Sequence, residues 1–131
     1  MAKKKIDLKI SEAYADNFRF LDELSGKTGI YIFYSKRGKQ KNIYLGRSRQ
    51  LSRRLFHHFC NGLALMEKVP RRVKVFYDMD WERACRLERY LIRKTRPAEN
   101  RGEVNTRSVP YPAEKWALLR KRYGKGVRRW R

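Results

Sequence analysis

Apolar positions along this chain recur at two different periods, and the changes of period mark its elements. Tyr14, Phe18 and Leu21 fall at helical spacing, so residues 11–24 are expected to form a first helix, with Ser11 as candidate N-cap and Gly26 as its stop. The next segment, Thr28-Gly29-Ile30-Tyr31-Ile32-Phe33-Tyr34, is dense in β-branched and aromatic residues and reads as a strand. A polar connection from Ser35 to Lys41 leads to the expected return strand, Asn42-Ile43-Tyr44-Leu45. Ile30, Ile32 and Tyr34 share one face of the first strand, Tyr31 and Phe33 share the other, and Ile43 and Leu45 oppose Tyr44. The simplest hairpin turns the isoleucines to the core and brings Tyr31 and Tyr44 together on the opposite face.

After Gly46 a helix is expected, capped by Ser48, carrying the stripe Leu51, Leu55 and Phe59, and ending at Asn61-Gly62. Arg54 and His58 are four apart and flank that stripe, so both side chains emerge on one face at the rim of the core. Arg71 to Tyr77 reads as a third strand with Val73 and Val75 on one face. A helix from Trp81 follows, capped by Asp78 or Asp80 and terminated by Pro97. Residues 98–111 form a connection, and Pro112 opens a last short helix with Trp116, Leu118 and Leu119. Helices segregated from an antiparallel sheet make an α+β fold, here a small three-stranded antiparallel sheet flanked by helices. The expected division is a basic N-terminal segment and helix (1–27), a core (28–100) and a basic C-terminal extension (101–131).

One residue breaks the pattern of the helix that begins at Trp81. Its apolar stripe is Trp81, Ala84, Cys85, Leu91 and Ile92, and Glu88 falls inside it. A carboxylate on a core-facing stripe has to be paired, protonated or bound to a cation, because an uncompensated buried charge is very costly. Arg54 is one candidate partner.

Charge then narrows the function. The chain has 131 residues, enough for one domain with one modest core, and carries a formal charge of +21 from 34 Lys and Arg against 13 Asp and Glu. A small soluble domain is comfortable with a net charge of roughly 2 to 8. Such an excess calls for a polyanion, with DNA or RNA ahead of an anionic membrane surface. No acidic residue lies between Leu24 and Met66, so the hairpin and the Arg54 helix form an uninterrupted positive surface that includes Arg47, Arg49 and Arg53. A second basic run, with Arg120, Lys121, Arg122, Arg128 and Arg129 interleaved with Tyr123 and Trp130, suits a phosphate-and-stacking contact or serves as a solubilising tail. Cys60 and Cys85 have no metal-ligand spacing and no disulfide framework. There is no hydrophobic signal region and no transmembrane stretch, so the chain is expected in the cytoplasm or on nuclear or nucleoid DNA, not secreted.

Two tyrosines on one hairpin face, Arg54 with His58, and Glu88 on an apolar stripe ask for one explanation, and phosphodiester hydrolysis supplies it. Arginine binds a phosphate oxygen and stabilises developing charge, a carboxylate holds Mg²⁺ or Mn²⁺, and a tyrosine or histidine handles the attacking water. The set resembles the GIY-YIG nuclease superfamily. Gly29-Ile30-Tyr31 is similar to its first motif and Tyr44-Leu45-Gly46 to its second, with Leu45 in place of the more usual Ile. Arg54 stands ten residues after the second tyrosine, His58 one turn further on, and Glu88, Pro97 and Asn100 follow in the family's order.

The resemblance covers roughly residues 28–100 and implies a divalent-metal-dependent endonuclease that cleaves DNA, structure-specific or weakly sequence-specific. It implies one Mg²⁺ or Mn²⁺ on Glu88 and a phosphate-stabilising Arg54. Tyr31 would be the base or water-orienting group, with Tyr44 and His58 assisting and Asn100 bracing the site. An ordinary tyrosine has a pKa near 10, so Tyr31 as a literal base needs help from nearby cations or the metal; Arg47, next to the second motif, either supplies it or contacts backbone. The division of labour among Tyr31, Tyr44 and His58 stays open, as do RNA as substrate, a homodimer and a recognition partner. The alternative is a non-catalytic DNA- or RNA-binding module on the same fold.

Overall fold

A computed structural model describes residues 4–35, 41–61, 63, 66, 69–97 and 100. The elements run β1 (Lys4–Lys9), α1 (Ile10–Ala15), α2 (Phe20–Glu23), β2 (Gly29–Tyr34), β3 (Asn42–Ser48), α3 (Leu51–Asn61), β4 (Arg72–Tyr77) and α4 (Trp81–Thr95). The fold is α+β, with a four-stranded sheet in the order β1-β4-β2-β3 and every neighbouring pair antiparallel.

One strand more than expected is present, because the basic start of the chain is β1. Lys5, Asp7 and Lys9 alternate there with Ile6 and Leu8, which pack against the main core, giving the period of a half-buried edge strand. The single helix expected over residues 11–24 is broken into α1 and α2. Asn17 and Phe18 take left-handed backbone angles (φ 54° and 62°), which an aromatic residue adopts only at a cost. Burial of Phe18 against Phe56 and Phe59, at ring separations of 6.0 and 5.0 Å, offsets it. Ser11 lies inside α1, and the Glu12 carboxylate accepts the Lys9 N–H at the helix start instead.

All six residues of β2 are buried, so the sheet is covered on both faces. Tyr31 and Phe33 belong to the larger core, built with α1, α2 and α3. Ile30 packs with Met79 and Ala84, and Ile32 and Leu45 pack with Phe76, Leu91 and Ile92, on the α4 side. The tyrosine face is therefore a core face in its own right, which the two-faced hairpin reading did not anticipate. A register shift between Phe33 and Tyr34 places Ile43 in the α3 core, apart from Leu45.

Two boundaries also differ. β3 runs on through Gly46 and Arg47 to Ser48, whose Oγ accepts the Gln50 N–H at 2.8 Å, so Ser48 closes a turn before α3 starts at Leu51. Of the two candidate caps for α4, Asp80 accepts the Arg83 N–H at 2.7 Å, while Asp78 pairs with Lys4 and Lys27. α4 ends at a left-handed Arg96 followed by buried Pro97. Among the described residues no helix is long and apolar enough to cross a membrane. The helix expected at Pro112, and Arg120, Lys121, Arg122, Arg128 and Arg129, lie outside the described residues.

Candidate active site

β2 delivers Tyr31 to the face that α3 covers, directly opposite Gly46 of β3. A Cβ on Gly46 would collide with the Tyr31 hydroxyl and ring carbon, so the aromatic ring needs the space that glycine leaves. Gly29 meets a different constraint: its Cβ would run into the Phe76 backbone of the neighbouring strand. Both motif glycines are thus required by close approach.

One turn of α3 places Arg54 and His58 over Tyr31. The Tyr31 hydroxyl lies 2.8 Å from His58 Nε2, and Arg54 Nε donates to the same hydroxyl at 3.3 Å. The Tyr44 ring lies 5.1 Å from His58 and 6.2 Å from Tyr31, and its hydroxyl also bears on Arg54. Burial pushes the Tyr31 phenol well above its ordinary range, Tyr44 adds to the rise, and Arg54 pulls against it. Burial likewise holds His58 down to about 3, with Arg54 and His57 contributing. The imidazole is therefore neutral at physiological pH. With Arg54 donating to Tyr31, the fitting arrangement has Tyr31 donating its own proton to an unprotonated Nε2.

Glu88 sits on α4, across the sheet from this cluster, and is buried with 9% exposure. Its partner is Arg47 on β3, not Arg54: Arg47 Nη1 donates to Glu88 Oε1. Glu88 lies close enough to Tyr31 to bear on its ionisation. Arg47 and Arg49 both stack on Trp81, with guanidinium carbons 5.1 and 4.3 Å from the ring centre. Trp81 read as plain core in the sequence. The signal for its second role was two arginines at alternate positions after the second glycine motif, Arg47 at the end of β3 and Arg49 just beyond it. Arg53 is half-buried on α3 and Arg54 is exposed apart from its contact with Tyr31.

Asn100 reaches β3 from beyond α4. Its Oδ1 accepts the Leu45 N–H at 2.9 Å and its Nδ2 donates to the Leu45 carbonyl at 2.8 Å. β3 is a sheet edge, so the amide acts as a one-residue strand partner and fixes the backbone beside Gly46.

Among the described residues no three His, Cys, Asp or Glu side chains gather around a common point. A recessed single carboxylate nevertheless fits a hard cation that keeps most of its water, as Mg²⁺ and Mn²⁺ do. Glu88 is the residue that would hold it, in exchange for or beside Arg47. Cys60 is buried on α3, and burial pushes its thiol up to about 12.

Residues 27–102, more than half of the chain, match the model of the GIY-YIG catalytic domain. The chain belongs to the GIY-YIG family. Among curated proteins, this GIY-YIG chain is 30% identical over 99 residues to UvrABC system protein C of Fervidobacterium nodosum, covering 72% of this chain and 17% of that protein. It is 37% identical over 76 residues to UvrABC system protein C of Dictyoglomus thermophilum, covering 56% of this chain and 12% of that one. It therefore spans less than a fifth of the length of either relative. No solved structure matches it significantly. Every residue of the cluster above, from Tyr31 to Asn100, falls inside the matched GIY-YIG segment.

Proposed function

We propose that this protein is a divalent-metal-dependent endonuclease that hydrolyses DNA phosphodiester bonds, cutting by DNA structure or with weak sequence preference. The observation that carries the reading is the chain of contacts from Arg54 through Tyr31 to neutral His58, with a buried carboxylate across the sheet. Arg54 projects a permanent positive charge into solvent, and among the described residues no carboxylate lies within salt-bridge distance of it. A phosphate oxygen is the anion such a group accepts, and its charge stabilisation grows as the pentavalent transition state forms.

Burial opposes charge on both Tyr31 and His58, so neither acts as an isolated base. Tyr31 accepts a proton from the attacking water while passing its own to His58 Nε2, and the entering phosphate favours the imidazolium that results. Tyr44 stacks the relay and shares Arg54. A divalent cation on Glu88 would polarise the phosphate and steady the leaving oxygen. Arg47 neutralises Glu88, and with a cation held on that carboxylate it would be free, next to Trp81, to meet the DNA backbone. The two relatives are named as proteins of the UvrABC system; the GIY-YIG family match and the formal charge of +21 support a DNA substrate.

The test is cleavage of supercoiled, duplex, flapped, branched and single-stranded DNA, and of RNA, by wild type and Glu88→Ala with Mg²⁺, Mn²⁺ or EDTA. Metal-dependent cutting of DNA by the wild type alone is expected. Tight binding with no cutting under any condition would replace this reading with that of a non-catalytic binding module.

A further inference from the structure

At the end of the sheet away from Glu88, the ends of β1, β2 and β4 enclose a groove of about 800 Å³. Lys9 and Arg71 line it with positive charge, Ser35 adds a hydroxyl, Ile10 and Pro70 provide apolar surface, and Arg72, paired with Asp7, completes the lining. Its walls are tied together: the Ile10 N–H donates to the Arg71 carbonyl at 2.8 Å, and the Arg71 N–H to the Tyr34 carbonyl at 3.0 Å. Arg72 is held through Nε by Asp7 and by the Tyr34 hydroxyl, each at 3.1 Å, which fixes its guanidinium at the rim. Lys9 and Arg71 are exposed.

A lining that combines cations with apolar surface matches the two halves of a nucleotide, its phosphate and its base or sugar. We propose that this groove holds a nucleotide of the DNA strand flanking the scissile bond, as a second contact point outside the Tyr31 cluster. The inference rests on DNA being the partner proposed above. Ser35 follows Tyr31 by four residues of extended chain, about 13 Å at ~3.3 Å per residue. Tyr14, which also lines the groove, ties it to α3 by donating its hydroxyl to the carbonyl of Phe59, the neighbour of His58. The chain beyond residue 100 is itself strongly basic, so charge disfavours it as the occupant.

Binding of a fluorescent DNA duplex to the full chain in EDTA, measured by anisotropy across a salt series, tests this. Each lost phosphate contact lowers the slope of log affinity against log salt by about 0.9. Lys9→Gln/Arg71→Gln should lower it by one to two such steps and weaken binding several-fold at ~0.1 M salt, while Arg89→Gln/Arg93→Gln on the outer side of α4 leaves it unchanged. All four residues are exposed, so folding should persist; if the groove double variant melts early, Arg71→Gln alone should give a single step. An unchanged slope in the groove variants, or an equal fall in the α4 variant, overturns the groove and leaves the nuclease reading standing. Absence of any DNA binding by the wild type overturns both.

Discussion

Tyr31 and Tyr34 stand three residues apart on β2, on opposite faces of the sheet, and are built from nearly the same parts. Each is buried, and each hydroxyl meets an arginine Nε and one further polar partner. The difference lies in that partner. Tyr34 donates to the Asp7 carboxylate at 2.6 Å, and Asp7 also pairs with Arg72 at 3.1 Å, so anion and cation balance in a closed group. Tyr31 has a neutral imidazole in the same place, and Arg54 keeps its charge uncompensated at the surface. The first arrangement is complete and ties β1, β2 and β4 together. The second lacks an anion, and that deficit separates a site from a strut.

The largest effect should come from removing the uncompensated charge. Arg54→Ala is expected to lower the cleavage rate by about 10²–10³, or ~3–4 kcal/mol of transition-state stabilisation. Its melting temperature should move little, since Arg54 is exposed and forms no ion pair among the described residues. A large loss of stability with cleavage intact would make Arg54 a strut like Arg72.

Gly46→Ala should follow. The new methyl group meets the free end of the Tyr31 ring, which has to swing aside because the β3 backbone beside it is pinned by Asn100. Overpacking of this kind costs about 1–3 kcal/mol. Cleavage should fall more steeply than stability, because what moves is the hydroxyl between Arg54 and His58. Comparing chemical denaturation with single-turnover rates separates the two.

Asp7→Ala carries the opposite signature. It strips Tyr34 and Arg72 of their common acceptor, and hydrogen bonds to a charged group contribute about 1.5–3 kcal/mol. Stability should drop by about that much while the cleavage rate of the folded fraction holds. Burial works against the Asp7 charge, but Tyr34 and Arg72 outweigh it and hold the carboxyl below its usual range. The contribution is thus present above the unfolded carboxyl pKa and is lost as pH falls through the folded value, below about 4. Asp7→Ala should therefore flatten the acid limb of a melting-temperature curve in that window.

Most of this contrast was legible in the sequence on one side only. Tyr31, Tyr44, Arg54, His58 and Glu88 stood out because strand alternation and helical spacing converge them, and because two glycine motifs frame them. The Asp7 group did not stand out, since Lys4–Lys9 read as a basic start and its alternation of Ile6 and Leu8 with charged residues was too short to weigh against that. The break at Asn17 and Phe18 was hidden for a different reason: Phe18 sits at helical spacing from Tyr14, and its departure from the helix is driven by the α3 core, a tertiary effect. Glu88 called for a partner, but choosing Arg47 over Arg54 required knowing that β3 extends past Gly46. Periodicity marks an apolar stripe well and a strand end poorly.

His58 supplies the subtlest test. Its folded pKa is depressed to about 3, below an unfolded value near 6.5, because burial and the neighbouring Arg54 and His57 disfavour its charge. Between those values the unfolded chain binds a proton that the folded chain refuses, so stability rises with pH there and falls on acidification from 6.5 downward. A single such proton sets a ceiling of ~1.4 kcal/mol per pH unit. His58→Gln should flatten that slope from pH 6.5 down to about 3, and between pH 6.5 and 4.5 the effect is read clear of the Asp7 limb. The His58 ring protons should show no titration near pH 6.5 by NMR in the free protein. On binding a non-cleavable phosphorothioate DNA, the added anion should move His58 upward toward its ordinary value. If His58 titrates normally in the free protein, the Tyr31 hydroxyl faces a cation below pH 6.5, and the relay loses its proton acceptor.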